Sequence, residues 1–208
     1  MGTVGLVFGA GVAIAACVAV YLRAQHRLVP RTIERHRARD ETRFLDLGAG
    51  DGLNAEWLRQ SDTTIDVTCI DLANENRFGA SIVYDGRTIP FPEKSFDSAI
   101  IAFVLHHVPA TRQLGLVREL MRVTRRRLYV FEDSIASHFD RCLCAGHQRA
   151  FGTSTVEDAR SADAWRAVFA DAGLTVESMS LTSRFIAPWI RGCKCYLVQR
   201  VIFVLRVP

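Results

Sequence analysis

Three glycines and two acidic residues are the part of this sequence whose types and spacing could support chemistry. Gly48, Gly50 and Gly52 alternate with other residues between a short apolar strand pattern and a helical pattern. Glycine lets the backbone turn sharply and approach a ligand closely. Asp46 precedes the glycines, and Asp71 closes a second apolar run. Carboxylates in these places could bind an ammonium group and ribose hydroxyls, so the pattern indicates a site for a ribose-containing ligand.

The spacing of the glycines separates two classes of cofactor. They form a G-x-G-x-G pattern, whereas a dinucleotide fingerprint is G-x-G-x-x-G and would require glycine where this chain has Leu53. A pyrophosphate needs mainly bare N–H groups at a helix N-terminus. A sulfonium cofactor that ends in an α-amino acid also needs carboxylates. The sequence therefore favours S-adenosylmethionine over NAD.

Further patterns follow the glycine loop in a fixed order. Asp85-Gly86 precedes the run Pro90–Asp97, which reads P-F-P-E-K-S-F-D, and Leu105–His107 reads L-H-H. With the glycine loop, these patterns resemble the class I S-adenosylmethionine-dependent methyltransferases. The likeness is to the small-molecule group with D-x-G-x-G-x-G, P-F-x-x-x-S-F-D and L-H-H motifs. It extends from about Arg43 to the C-terminus.

The resemblance implies an α/β fold, a doubly wound Rossmann-like sheet of seven strands with an antiparallel last strand, and it implies a cofactor site. Asp71 would accept hydrogen bonds from the ribose hydroxyls, and Leu72 would pack on the adenine. Asp85 matches the family position that binds the adenine amino group. The predicted cofactor-binding residues are Asp46, Gly48, Ala49, Gly50, Asp51, Gly52, Asp71, Leu72, Asp85 and Gly86.

His106 and His107 are candidates for a catalytic role in proton transfer. They follow a strand predicted over Asp97–Phe103, whose carboxyl end lies where open α/β sheets bind ligands. An imidazole titrates near neutral pH and could remove a proton from a hydroxyl or amine acceptor. The alternative is that both histidines only line the pocket, because positioning and desolvation can supply most of the acceleration of methyl transfer.

The elements that must position these residues alternate between strand and helix, as a doubly wound sheet requires. The predicted strands are Arg43–Leu47, Asp66–Asp71, Ser81–Tyr84, Asp97–Phe103, Arg127–Phe131, Thr175–Leu181 and Arg200–Val207, and the predicted helices are Gly52–Gln60, Thr111–Val123 and Ala162–Ala172. No crossover helix separates the last two strands, which predicts an antiparallel strand at the sheet edge.

An apolar segment precedes the first predicted strand. Val4 to Leu22 contains no charged residue, and as a helix it would be roughly 28 Å long, close to the hydrocarbon thickness of about 30 Å. We predict a transmembrane anchor over 1–22, with an interfacial helix or a cleaved signal peptide as alternatives. Arginines in the basic linker predicted over 23–41 then leave the domain over 42–208 in the cytoplasm of a single-pass membrane protein.

Charge and cysteine usage exclude two other kinds of site. The net charge is +4, of which residues 1–41 carry +3, so the near balance of the rest argues against nucleic-acid binding. Arg125–Arg127 is the local exception and reads as a solvated loop. The pairs Cys142/Cys144 and Cys193/Cys195 have C-x-C spacing, whereas structural zinc sites commonly use C-x2–4-C, so we predict reduced thiols and no metal.

The acceptor is the least defined part of the prediction. Residues 134–161 are the predicted substrate cap, and they contain no motif that identifies a substrate. The anchor and the apolar tail Ile202–Leu205 favour a small or lipophilic acceptor such as a quinone, sterol or lipid, although the tail equally fits a buried strand. We therefore expect a membrane-tethered methyltransferase. A catalytically inactive, methyltransferase-like scaffold is the alternative, and no pattern indicates the oligomeric state.

Overall fold

The structure is a computed structural model that describes residues 27–138, 140–142, 158–182 and 199–208. The described strands are β1 Arg43–Leu47, β2 Asp66–Asp71, β3 Ile82–Val83, β4 Phe96–Ala102, β5 Thr124–Ser134, β6 Thr175–Leu181 and β7 Gln199–Arg206. The described helices are α1 Leu28–His36, α2 Leu53–Ser61, α3 Ala110–Val123 and α4 Ala162–Asp171, with a 3-10 turn at Leu105–His107.

The strands form one seven-stranded sheet in the order β3-β2-β1-β4-β5-β7-β6. Strands β1 to β5 pair in parallel, and β7 is antiparallel to both β5 and β6. The prediction of seven strands with an antiparallel last strand is confirmed. Its placement at the edge is wrong, because β7 lies between β5 and β6. The run Val201–Leu205 is buried throughout, which requires cover on both faces.

Two apolar layers hold the sheet between helices. One face packs against α3 and α4 around Trp165, Phe169 and Phe203. The other packs against α1 and α2 around Phe44 and Ile100. This sandwich brings the carboxyl ends of β1, β2, β4 and β5 to one edge of the sheet, so the residues that follow these strands lie close together.

Helix α1 lies within the predicted linker, where the sequence did not indicate a helix. It buries Val29 and Ile33 against the sheet and α2. At its end, Arg37 forms an ion pair with Asp62, which follows α2. Near its start, the Arg27 guanidinium lies 5.9 Å from the centre of the Trp57 ring in α2. Helix α1 therefore runs in the same direction as α2 and, like α2, begins toward the carboxyl ends of the strands.

Burial of Ile33 predicts that α1 stabilises the domain. Ile33 is fully buried, so Ile33→Ala should lower the free energy of unfolding by about 2–4 kcal/mol, the usual loss for a large-to-small change in a core. Urea denaturation followed by tryptophan fluorescence measures this loss. The matched control is Arg31→Ala on the exposed side of the same helix, which should change stability by less than about 0.5 kcal/mol. Equal effects of both changes would contradict a packed α1.

Arg125, Arg126 and Arg127 lie in β5, so the solvated-loop prediction for them is wrong. Arg126 donates two hydrogen bonds to the Asp40 carboxylate at 2.8 and 2.7 Å. The Arg127 guanidinium forms ion pairs with carboxylates of neighbouring elements, among them Glu177 at 2.7 Å. These arginines therefore bind carboxylates of this chain.

The predicted membrane span, residues 4–22, lies outside the described residues. Within the described part of the chain, no helix combines the length and apolar character needed to cross a bilayer. The anchor therefore stays a prediction.

Candidate cofactor site

The glycine turn between β1 and α2 has a backbone that favours glycine at all three positions. The φ angles of Gly48, Gly50 and Gly52 are 71°, 52° and 79°, in the left-handed region. A Cβ on Gly48 would lie 2.3 Å from a methyl carbon of Val104, and one on Gly52 would lie 2.0 Å from the Asn76 side chain. A Cβ on Gly50 would meet no atom within 4 Å. The turn is closely packed at both ends and open in the middle, where a ligand can approach.

Asp71 joins the glycine turn to the end of β2. Its Oδ2 accepts a hydrogen bond from the Gly50 N–H at 2.7 Å, and its Oδ1 accepts one from the Leu72 N–H at 2.6 Å. The Ile70 carbonyl also accepts a hydrogen bond from the Gly48 N–H at 2.9 Å. The carboxylate therefore lies beside the open middle of the turn. Its remaining lone pairs can accept hydrogen bonds from a ligand's hydroxyls.

Asp46 is buried beneath the turn with an unused oxygen. Its side chain is 1% exposed, and its Oδ2 has no hydrogen-bond partner among the described residues. Burial, with the negative charge of Asp71 adding to it, raises the pKa of Asp46 to about 7, although Arg59 acts in the opposite direction. A buried carboxylate oxygen without a donor is uncommon in folded proteins. The oxygen fits a site that receives its donor from a ligand.

The residues predicted to bind the adenine lie close together at the ends of β2 and β3. Leu72 is 64% exposed, and its Cδ2 lies 2.9 Å from the position of a Cβ on Gly86. Asp85 accepts hydrogen bonds from the Arg87 and Thr88 N–H groups at 2.8 and 2.9 Å, and these bonds hold its pKa below the usual range. The structure thus brings Leu72, Asp85 and Gly86 together on the side of β2 away from β1.

Asp51 and Ala49 take backbone roles in the same turn. The Asp51 carboxylate is exposed and accepts a hydrogen bond from the Leu53 N–H at 3.2 Å, at the start of α2. The Ala49 N–H donates to the Ile70 carbonyl at 3.3 Å. Both residues shape the turn.

Glu132, at the end of β5, holds the loop that carries the two histidines. It is fully buried, and its Oε1 accepts hydrogen bonds from the Val104 and Leu105 N–H groups at 3.1 and 2.7 Å. Its Oε2 lies 2.5 Å from Nδ1 of His106. Glu132 is not among the residues predicted from the sequence, although an acidic residue near the end of an apolar strand is the same signal that identified Asp71.

The two histidines differ in access and in charge. His106 is buried, which lowers its pKa, but the hydrogen bond and the charge of Glu132 outweigh burial and raise the pKa above its usual value. His107 is exposed at the loop surface, with its ring centre 4.1 Å from that of His106. The pKa of His107 is lowered, mainly because its ring is partly covered and to a smaller extent because of the charge of His106. At neutral pH, His107 is therefore the neutral and accessible imidazole of the pair.

The histidine loop and the glycine turn are in contact, since Val104 lies against Gly48. Phe103, which begins the loop, has a φ of 60°, an uncommon backbone conformation for a residue with a side chain. Strained residues of this kind concentrate at functional sites. The sheet edge thus brings the turn, the carboxylates and His107 into one region.

The cysteines of the described residues provide no metal cluster. Cys69 is buried, which raises its pKa to about 11, and the exposed Cys142 has its Sγ 3.6 Å from Nε2 of His138. In the part of the chain that the structure describes, no group of three or more potential metal ligands occurs. Cys144, Cys193, Cys195 and most of the predicted cap lie outside the described residues.

Comparison with known proteins identifies the fold and the kind of domain that contains this site. Residues 45–131, from β1 to β5, match the family described as a methyltransferase domain, which is less than half of the chain. No curated protein matches the chain. An S-adenosylmethionine-dependent methyltransferase from Aquifex aeolicus is structurally similar, with a TM-score of 0.61, 15% identity, and coverage of 87% of this chain and 90% of that one. The chain has the methyltransferase fold.

Two other solved structures share this methyltransferase fold. Magnesium protoporphyrin IX methyltransferase from Synechocystis, with bound S-adenosylhomocysteine, has a TM-score of 0.63 and 16% identity over 93% of this chain and 87% of that one. The [4+2]-cyclase SpnF has a TM-score of 0.65 and 18% identity over 89% and 82% of the two chains. At such low identities, the likeness establishes the fold and leaves the substrate open.

Proposed function

We propose that this chain is an S-adenosylmethionine-dependent methyltransferase, tethered to a membrane, that transfers a methyl group to a small or lipophilic acceptor. The observation that carries the proposal is the open glycine turn with Asp71 bonded to its centre and the unused oxygen of Asp46 beneath it. The matching methyltransferase domain and the shared fold support the same chemistry.

Each part of the cofactor has residues that suit it. Asp71 binds the ribose hydroxyls, the exposed face of Leu72 packs on the adenine, and Asp85 accepts from the adenine amino group. The turn and Asp46 hold the methionine part, whose ammonium group supplies the donor that the Asp46 oxygen lacks. The bound cofactor supplies a methyl group on a sulfonium, which is already an activated leaving group. The protein therefore has mainly to position the acceptor and to exclude water.

His107 is the residue placed to accept a proton from the acceptor. It is exposed on the loop whose Val104 lies against Gly48, and its pKa is lowered, so that it is neutral at neutral pH. A hydroxyl or amine acceptor would need such a base. His106 instead positions the loop through its bond to Glu132.

The membrane part of the proposal is supported by the sequence before α1. Residues 4–22 are uncharged and long enough to span a bilayer, and arginines follow at once. The apolar C-terminal run adds nothing to this support, because it forms the buried strand β7. The lipophilic acceptor therefore depends on the tether alone.

Asp71→Ala is expected to lower the affinity for S-adenosylhomocysteine about 10- to 100-fold, because it removes two charge-assisted hydrogen bonds to the ribose. Isothermal calorimetry measures the change, and thermal unfolding shows whether the variant is folded. The matched control is Asp66→Ala, an exposed acid at the other end of the same strand. Unchanged affinity in a folded Asp71 variant would contradict the assigned ribose site.

Methyl transfer itself needs a direct assay, because a [4+2]-cyclase also has this fold. Purified chain is incubated with membrane extract and S-adenosylmethionine that carries a radiolabelled methyl group. The proposal predicts label in an extractable small molecule or lipid. Cofactor binding without label in any fraction would favour the inactive scaffold instead.

A further inference from the structure

Helix α1 presents a cationic stripe to solvent on the side opposite its buried face. Arg27, Arg31 and Arg35 are exposed, and their spacing of four residues places them on one face of the helix. Glu34 is the only acidic residue of α1. The stripe begins five residues after the end of the uncharged segment.

These arginines differ from those that stabilise the fold. Arg37 and Arg126 pair with carboxylates of this chain. The side chains of Arg31 and Arg35 form no hydrogen bond or ion pair with any residue that the structure describes. Their positive charges are therefore available to an external anion.

A groove lies behind the stripe, between α1 and strands β6 and β7. It has a volume of about 610 Å³. Its polar lining contains one acid, Glu34, among basic and hydroxyl side chains: Arg31, Thr32, Arg35, His36, Ser178 and Ser180. Leu28, Ile202 and Val204 form its apolar floor. Guanidinium and hydroxyl groups suit phosphate oxygens, and an apolar floor suits the adjoining glycerol and acyl carbons of a lipid.

We propose that this surface, formed by the stripe Arg27, Arg31 and Arg35 with the groove behind it, docks on the headgroups of an anionic bilayer. The inference rests on the proposed membrane tether. Four residues separate Leu22 from Arg27, so over these five steps of the chain the start of α1 lies at most about 18 Å from the point where the apolar segment ends. Each arginine near an anionic surface contributes about 1 kcal/mol of attraction, which is a factor of about five.

Docking in this way also orients the cofactor site. Helix α1 begins toward the carboxyl ends of the strands, at the edge that carries the glycine turn and His107. A short tether at the start of α1 keeps this edge near the bilayer. A lipophilic acceptor could then reach the site from the membrane with a short path through water.

Arginine footprinting on the full-length chain tests the proposal. The chain is placed in nanodiscs of phosphatidylcholine alone or mixed with phosphatidylglycerol, and phenylglyoxal modification of each arginine is followed by mass spectrometry. We expect Arg31 and Arg35 to react about fivefold more slowly on the anionic discs. Arg118 and Arg166, exposed on the helices of the opposite sheet face, serve as internal controls and should react equally on both discs.

Charge reversal provides the matched variants. In Arg31→Glu/Arg35→Glu, the protection of Arg27 on anionic discs should be lost, whereas Arg118→Glu/Arg166→Glu should keep it. Calorimetry with S-adenosylhomocysteine on the same samples reports the cofactor site separately. Normal protection without cofactor binding would refute the proposed activity and leave the docking surface standing.

Several results would overturn the proposal. Equal modification rates on both discs, or no association of the chain with either disc, would contradict docking. Equal protection by inorganic phosphate on the neutral discs would indicate a site for free anions. Protection that is already complete on neutral discs would show that the chain itself covers the stripe.

Discussion

Asp46→Asn is expected to make stability less dependent on pH while weakening cofactor binding. The pKa of Asp46 is raised to about 7 in the folded protein, whereas its ordinary value is 3.8. The protonated form is therefore favoured by folding, and its stabilisation is lost as the pH rises from about 4 to about 7. Asparagine stays neutral, so the variant should avoid a loss of about 2–4 kcal/mol between pH 4 and pH 8.

The same variant should bind the cofactor more weakly. An asparagine cannot provide the negative charge that attracts the cofactor's ammonium group, so the affinity for S-adenosylhomocysteine at pH 8 should fall at least about tenfold. Urea denaturation across pH and calorimetry measure the two effects. Asp163→Asn, a change of an exposed acid on α4, is the control and should alter neither. If the stability of Asp46→Asn depends on pH as that of the original chain does, and its affinity is unchanged, Asp46 is not part of the cofactor site.

Glu132→Ala is expected to lower the free energy of unfolding at pH 7 by about 3–5 kcal/mol. The change leaves a buried histidine and two backbone N–H groups without their acceptor. His106 has a raised pKa, so it contributes stability below its unfolded value of about 6.5 that is lost as the pH rises through the folded pKa. This decline should disappear in the variant. Urea denaturation at several pH values measures both features.

Glu132→Gln separates a positioning role from a purely structural one, because it preserves the shape of the side chain. The pKa of His106 should fall in this variant because its carboxylate partner is gone, and the pKa of His107, measured by nuclear magnetic resonance, should then rise. Asp133→Asn is the matched control. It should lower the pKa of His107, because the Asp133 carboxylate raises that pKa. If Glu132→Gln leaves the His107 pKa unchanged, the two histidines are not coupled as described.

The parts of the fold that could be predicted depend on local patterns. Strands β1, β2 and β6 begin and end at the predicted residues. The glycine turn was recognisable because alternating glycines after a strand fit few other backbones. Asp71 was recognisable from its place at the end of the next strand. These features need only residues that are close in sequence.

The parts that were missed depend on contacts between distant residues. The buried residues of α1 are Val29, Pro30 and Ile33, and basic residues separate them in the sequence from other apolar runs, so the apolar pattern is short. The place of β7 is set by pairing with β5, more than 60 residues earlier in the chain. Glu132 acts on residues 26 to 28 positions before it. Such long-range contacts leave weak local signals.

Strand β3 is shorter than the sequence predicts. A strand was predicted over Ser81–Tyr84, but only Ile82 and Val83 pair with β2. Both are exposed at the sheet edge, with 45% and 58% of their surface accessible. Their β-branched side chains gave the strand signal. Among the described residues no strand pairs with β3 on its other side, and the ladder stays short.

Calorimetric titration of the purified chain with S-adenosylhomocysteine, with NADH as the competing ligand, tests the central claim most directly. The glycine turn with Asp46 and Asp71 predicts saturable binding of S-adenosylhomocysteine with a dissociation constant below about 1 mM, the upper end of ordinary enzyme affinities, and no binding of NADH. A folded protein that shows no heat with S-adenosylhomocysteine at millimolar concentration, or that binds NADH instead, would contradict it.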